Sequence, residues 1–236
     1  MNVLQVIQEF CGRTALPSPS YVAGNTNPQV LQLLALLNEV GEDLAGRAYK
    51  WKALIREGSF TTVAAEIQGS LSTIAPYSFR NIIEDTIYNR TRNLPVYGPV
   101  SPKDWQNVKS AGFSGAVSSY RIRGGNLVFL PIPASGDSCY FEYSSRAPFL
   151  ALDGVTYKEY ATADTDTFLL PVKLALAGLR WKWKYEKGLD YAEDLITYSE
   201  AVEVEKGMDG TKPTLSLAPC HSVGPSLSIS LWNTVQ

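Results

Sequence analysis

Apolar residues along this chain of 236 residues recur with two different periods, and the change of period divides it. Near the start, Val3, Val6, Ile7, Phe10 and Cys11 stand three and four apart behind Asn2. That is the spacing of one buried helical face with a cap residue ahead of it, and it predicts a short amphipathic helix over 2–13. The segment LPSPS at 16–20 ends it. A second helix opens at Asn27-Pro28, a cap followed by a first-turn proline, and the wide stripe of Val30, Leu31, Leu33, Leu34, Leu37, Val40 and Leu44 carries it to about Arg47.

After Trp51 the helical period is lost. ALIREGSFTTVAAEIQGSLSTI is rich in Thr, Val and Ile and is interrupted by glycines, a pattern of strands joined by turns. Within this region Ser101-Pro102 opens a short helix in SPKDWQNV. Tyr120 and Ile122, then a Gly124-Gly125-Asn126 turn, then Leu127 and Phe129 predict a hairpin, with a further strand through Tyr140, Phe141 and Tyr143. From Pro171 the pattern is helical again, first in PVKLALAGLRWKWKYEK up to Gly188, then over 189–206 with Ala192, Leu195, Ile196 and Val202 as its inner face. The tail, 209–236, is rich in Ser, Pro and Gly and has no sustained period, so an extended arm is expected there. No fixed-period repeat occurs. The fold class that follows is α+β: a helical bundle from 1–48 and 166–208, a β-rich insertion over 49–165, and the arm.

The stretch RWKWKY, Arg180 to Tyr185, reads two ways. As a strand it would set Trp181, Trp183 and Tyr185 on one face and Arg180, Lys182 and Lys184 on the other, a stacking platform for nucleic acid. As a helix, steps of about 100° turn the two indoles nearly opposite ways. The Leu/Ala-rich run upstream and the absence of a turn favour the helix. On that helix Lys173, Arg180, Lys184 and Lys187 form a basic stripe. Leu174, Trp181 and Tyr185 flank it on one side, and Val172, Leu176, Leu179 and Trp183 on the other. Two apolar flanks mean packing between two layers, and the second layer belongs either to another subunit or to the same domain.

Composition narrows the function classes. Twenty-one basic against 23 acidic residues leave a net charge of -2, so the molecule as a whole carries no electrostatic footprint for nucleic acid or an anionic membrane. Cys11, Cys139 and Cys220 are odd in number and far apart, which fits a reducing compartment. The start lacks a basic n-region and a continuous apolar run, so a protein made and used in soluble form, without a membrane partner, is expected. The sole histidine, His221, sits in the tail beside Cys220 without further ligands at metal spacing. A Ser-His-Asp or Cys-His arrangement would depend on that one residue. Glu84-Asp85 and Asp164 with Asp166 have no DxDxDG frame, and no GxxxxGKS, GxGxxG or GxSxG occurs. The expectation is therefore no enzyme, no cofactor and no metal. NRT at 89–91 lacks a secretion signal, and the single RGG at 123–125 is explained by the hairpin turn.

Several segments in order, NTNPQVLQLLALLNEVGEDLAGR, FTTVAAEIQGSLSTIAP, GPVSPKDWQNVK, YRIRGGNLVFLPIPASG and ADTDTFLLPVKLALAGLRWKWKYEKGLDYAEDL, together resemble the head-to-tail adaptor proteins of short-tailed bacteriophages, the tail tubular protein A-like connectors. The resemblance runs from about residue 3 to 208 and rests on structural, not catalytic, segments. It implies a virion protein assembled in the host cytoplasm as a ring of roughly twelve subunits, contacting the portal on one face and the tail nozzle or fibres on the other, with double-stranded DNA passing through. It makes Trp181, Trp183, Tyr185, Leu176, Leu179, Lys173, Arg180, Lys184 and Lys187 candidates for subunit contacts. By the same resemblance, Leu215, Leu217, Leu227, Ile229, Leu231 and Trp232 of the arm are candidates for gripping the portal. A nucleic-acid-binding protein using the basic stripe is the alternative.

Overall fold

Helix α1 (Val3–Thr14) begins at a reciprocal cap: the Asn2 side chain accepts from the Gln5 backbone N–H, and the Gln5 side chain accepts from that of Asn2. Its five expected apolar residues are all buried. Helix α2 (Pro28–Gly46) starts from Asn27, whose side chain accepts from Gln29 N at 2.9 Å, with proline in the first turn. The computed structural model describes residues 1–47, 49–112 and 118–210.

A single 3-10 turn at Lys52–Leu54 leads into the strands. In chain order these are β1 (Ile55–Thr61), β2 (Ile67–Ser70), the one-turn helix α3 (Leu71–Ile74), β3 (Phe79–Ile82), β4 (Tyr88–Asn89) and β5 (Leu94–Pro95). Helix α4 (Pro102–Ser110) follows its Ser101 cap and is anchored by the buried Trp105. Then come β6 (Ser119–Arg123), β7 (Asn126–Leu130), β8 (Ser138–Ser145), β9 (Phe149–Leu150), β10 (Tyr157–Lys158) and β11 (Thr167–Phe168). Two long helices close the described chain, α5 (Val172–Glu186) and α6 (Ala192–Asp209). The fold is thus mixed helix and sheet, α+β.

Strand β8 organises the largest sheet: β1 lies antiparallel along it on one side, while β3 and β4 share its other side and β5 extends from β4. The expected hairpin is β6–β7, and Gly124 and Gly125 turn it with φ of 58° and 74°, the left-handed pair that a two-residue loop requires. Strand β2 adds to β7. The third sheet, β10-β9-β11, is small, and Asn2 bridges to Thr167 at its edge.

The apolar interior falls into two clusters. One gathers α1, α2, α5 and α6 with Trp51, Phe149 and Phe168; the other gathers Leu71, Ile74, Tyr120, Leu127, Phe129, Phe141 and Tyr143 of the sheets. Helix α6 departs from the expected register. Of its expected inner face Val202 is buried, but Ala192, Leu195 and Ile196 are exposed, and Tyr198 and Ala201 complete the buried face instead. No helix among the described residues is long and apolar enough to cross a membrane.

Tyr120 lies in the second cluster, 1% exposed, and its hydroxyl has no partner among the described residues. Burial, helped by the charges of Asp85 and Glu84, pushes its pKa up to about 12. An unfolded tyrosine ionises near pH ~10. Stability contributed by keeping Tyr120 neutral is therefore fully present below pH ~10 and is lost as pH rises from there toward the folded value. Tyr120→Phe deletes an unsatisfied hydroxyl. We expect stability at neutral pH to stay level or rise by up to about 1 kcal/mol, and the alkaline loss to shrink. Urea unfolding at neutral and strongly alkaline pH checks both; an unchanged alkaline slope would show that the hydroxyl reaches solvent.

Candidate functional site

Helix α5 is enclosed on three sides by the chain's own helices. Toward α2 it presents Gly178, where an added Cβ would come within 2.7 Å of the Val40 side chain and 3.3 Å of the Tyr198 ring of α6. A side chain there would force the helices apart, so the glycine sets how closely α2 and α6 approach. One turn on, Lys182 points the same way. Its side chain is only 6% exposed and its ammonium pairs with Glu39 at 2.5 Å and Asp43 at 2.9 Å. Burial alone would lower the Lys182 pKa. Hydrogen bonds to Asp43 and Glu39, with their charges, outweigh it and hold the ammonium above the ordinary lysine value.

The two tryptophans meet different neighbours, as helical spacing requires. Trp183 packs edge-on against Phe10 of α1, with ring centroids 6.2 Å apart. Trp181 lies against Tyr198 of α6 and Tyr185, and Tyr185 in turn against Tyr191. Both indole N–H groups are buried with no acceptor among the described residues. The rings therefore act as apolar bodies. Leu174 and Leu179 are fully buried in the same core. Leu174, Leu179 and Trp181 are thus packed within the chain without a neighbouring subunit, while Tyr185 is exposed.

The fourth side of α5 is open. Between α1 and α6 runs a groove of about 880 Å³, with Phe10, Val172, Leu176, Ala177, Trp183 and Ala201 among its lining. It gathers five of the nine expected contact residues: Lys173, Leu176, Arg180, Trp183 and Lys184. Leu179, Trp181, Tyr185 and Lys187 stand outside it. Half of the basic stripe is engaged: Asp194 of α6, itself 12% exposed, accepts from Arg180 at 2.9 Å and also binds Lys184. On α1, Arg13 pairs with Glu9 one turn back. Lys173 has no ion pair among the described residues.

The groove exposes more apolar than polar surface. The hydroxyls on its walls are engaged by their own helices, Thr14 donating to the Phe10 carbonyl at 2.9 Å and Thr197 to that of Glu193 at 3.0 Å. Among the described residues no group of three or more His, Cys, Asp or Glu is placed to hold a metal ion. Cys11 and Cys139 are free and buried; burial first, then the charge of Asp137, pushes the Cys139 thiol up to about 11. Leu215, Leu217, Leu227, Ile229, Leu231 and Trp232 of the expected arm, with Cys220 and His221, lie outside the described residues.

Sequence reasoning missed Lys182 and Asp194. A signal for the first existed: Glu39 and Asp43 are one helical turn apart on α2, a ready fork for one cation. Asp194 had no comparable mark, because it stands among other acids at the start of α6.

Lys182→Met keeps the packed stem and removes the charge, so a change within about 1 kcal/mol is expected. Glu39→Gln with Asp43→Asn strands the ammonium between neutral groups. Because both carboxylates are themselves partly in water, the expected loss is about 1–3 kcal/mol, below that of a fully buried pair. Denaturant unfolding of the two variants decides; equal losses would mean that the ion pair does not hold α2 to α5. No protein-family model matches this chain, and no curated protein matches it.

Proposed function

We propose that this chain is the repeating subunit of a head-to-tail adaptor: a ring of roughly twelve copies between the portal of a short-tailed phage head and the tail nozzle or fibres, through which double-stranded DNA passes. The ordered resemblance of five segments motivates the reading. The observation that carries it is the open side of α5, an apolar groove on an otherwise enclosed helix. An unfilled apolar surface of that kind is what a subunit of a larger assembly presents.

In this reading α1, α2, α5 and α6 form one bundle drawn from both ends of the chain, and 49–165 is a β-rich insertion. The two separate apolar clusters support that division. Portal contacts fall to the arm, through Leu215, Leu217, Leu227, Ile229, Leu231 and Trp232. The near-balanced charge, -2 overall, suits a conduit in which DNA must slide, since each neutralised phosphate would add affinity and drag. The nucleic-acid alternative draws less support, because Asp194 already neutralises the middle of the basic stripe.

Co-expression with the portal protein of the same phage, sizing with light scattering and negative-stain microscopy tests the reading. The expected result is a ring-shaped complex with an added layer under the portal. A chain that elutes alone as a small species beside intact portal overturns it, and steeply salt-dependent retention on DNA would then favour the alternative. Deleting 210–236 is expected to release the adaptor from the portal; unchanged attachment would remove the arm from that role.

A further inference from the structure

The turn between β9 and β10 displays two apolar side chains to solvent. Leu152 is 79% exposed, the highest value among the large apolar side chains described, and Val155 is 61% exposed. Isolated exposed leucines are ordinary. This pair is different because the turn that carries it is held rigid. Asp153 accepts from the backbone N–H of Val155 at 2.9 Å and of Thr156 at 2.8 Å, and also from the Thr156 hydroxyl. Ala151 N–H donates to the Thr156 carbonyl at 2.9 Å across the base. A turn ordered before binding loses little conformational entropy on docking.

Its place in the fold matters as much. Pro148 and Phe149 seat β9 against Gly41 of α2. Helix α2 in turn covers the side of α5 that carries Gly178 and Lys182. At about 100° per residue, Leu176, Arg180, Trp183 and Lys184 lie on the far side of α5 from that pair, and they line the groove. The groove is lined from Met1, α1, α5 and α6, and the knob supplies none of that lining, so knob and groove are separate features of the same chain. Such a pair can join copies head to tail, and it closes a ring when the rotation between copies allows. The knob brings one acidic group, Asp153; of the charged side chains that line the groove, Lys173 and Glu193 have no ion pair among the described residues, and Lys173 is the one complementary to it.

We propose that the groove of each subunit is filled by the β9–β10 turn of an adjacent copy, with Leu152 and Val155 seated over Leu176, Ala177 and Trp183. This rests on the ring reading above and names the surfaces that would make it. Lys173 at the rim then faces Asp153 of the incoming turn.

The test uses the full chain carrying Val155→Cys, Ala177→Cys and Cys220→Ser, assembled with the portal and treated with a short bis-maleimide. Cys11 and Cys139 are buried. The expected result is a ladder of covalent multimers rising to ring size on a denaturing gel, absent from either single-site variant. In parallel, Leu152→Asp with Val155→Asp, both at exposed positions, is expected to abolish the ring layer while leaving the thermal unfolding midpoint within a few degrees. Rings visible by microscopy without a ladder, a ladder that stops at dimer, or rings that survive the double aspartate would overturn this assignment and leave the adaptor reading standing. A wild-type chain that forms no ring even with the portal would overturn both.

Discussion

The close approach of α2 and α6 to α5 at Gly178 is the constraint on which the helical half depends. A glycine in a helix interior costs about 0.5–1 kcal/mol relative to alanine. Here the missing side chain admits Val40 from one neighbour and the Tyr198 ring from the other. Once α2 is seated there, Lys182 in the next turn is sealed from water and must find Glu39 and Asp43. Once α6 is seated, Asp194 falls beside Arg180 and Lys184. With α1 held by the contact of Phe10 with Trp183, three sides of α5 are closed and the groove is what remains.

Much of this was legible along the chain. The caps at Asn2, Asn27 and Ser101 stand where expected, as do the apolar stripe of α1, that of α2 apart from the exposed Leu31, the helical reading of RWKWKY and the glycine turn of the β6–β7 hairpin. These are local matters, decided by spacing and backbone chemistry within a few residues. What stayed hidden depends on partners remote in sequence. Leu195 and Ile196 look like an inner face by hydrophobicity, yet the face of α6 toward α5 is chosen by where Tyr198 fits against Gly178. Periodicity told that α5 has two apolar flanks but not that α1 and α6 would cover them. It grouped Lys173, Arg180 and Lys184 correctly on one side of the helix, and it could not show that two of the three meet one carboxylate.

The functional consequence is a division of labour on one short helix. Aromatic rings that would have made a continuous platform on a strand are instead turned apart, each spent on holding a neighbouring helix. Two of the four cations that would have made a nucleic-acid stripe, Arg180 and Lys184, are tied to Asp194 of α6. What α5 leaves open is mainly shape and apolar surface, of the kind recognised by packing more than by charge.

Met1 lies at the lip of the same groove. Its carbonyl accepts from Phe168 N–H at 3.2 Å, and the Val3 N–H donates to the Asp166 carbonyl at 2.8 Å, so the first residues are knitted onto β11. A peptide fused ahead of Met1 therefore starts at the groove's mouth, beside Val172. A purification tag placed there would stand beside the groove at high effective concentration, so where a tag is attached becomes a choice about which surface is left open.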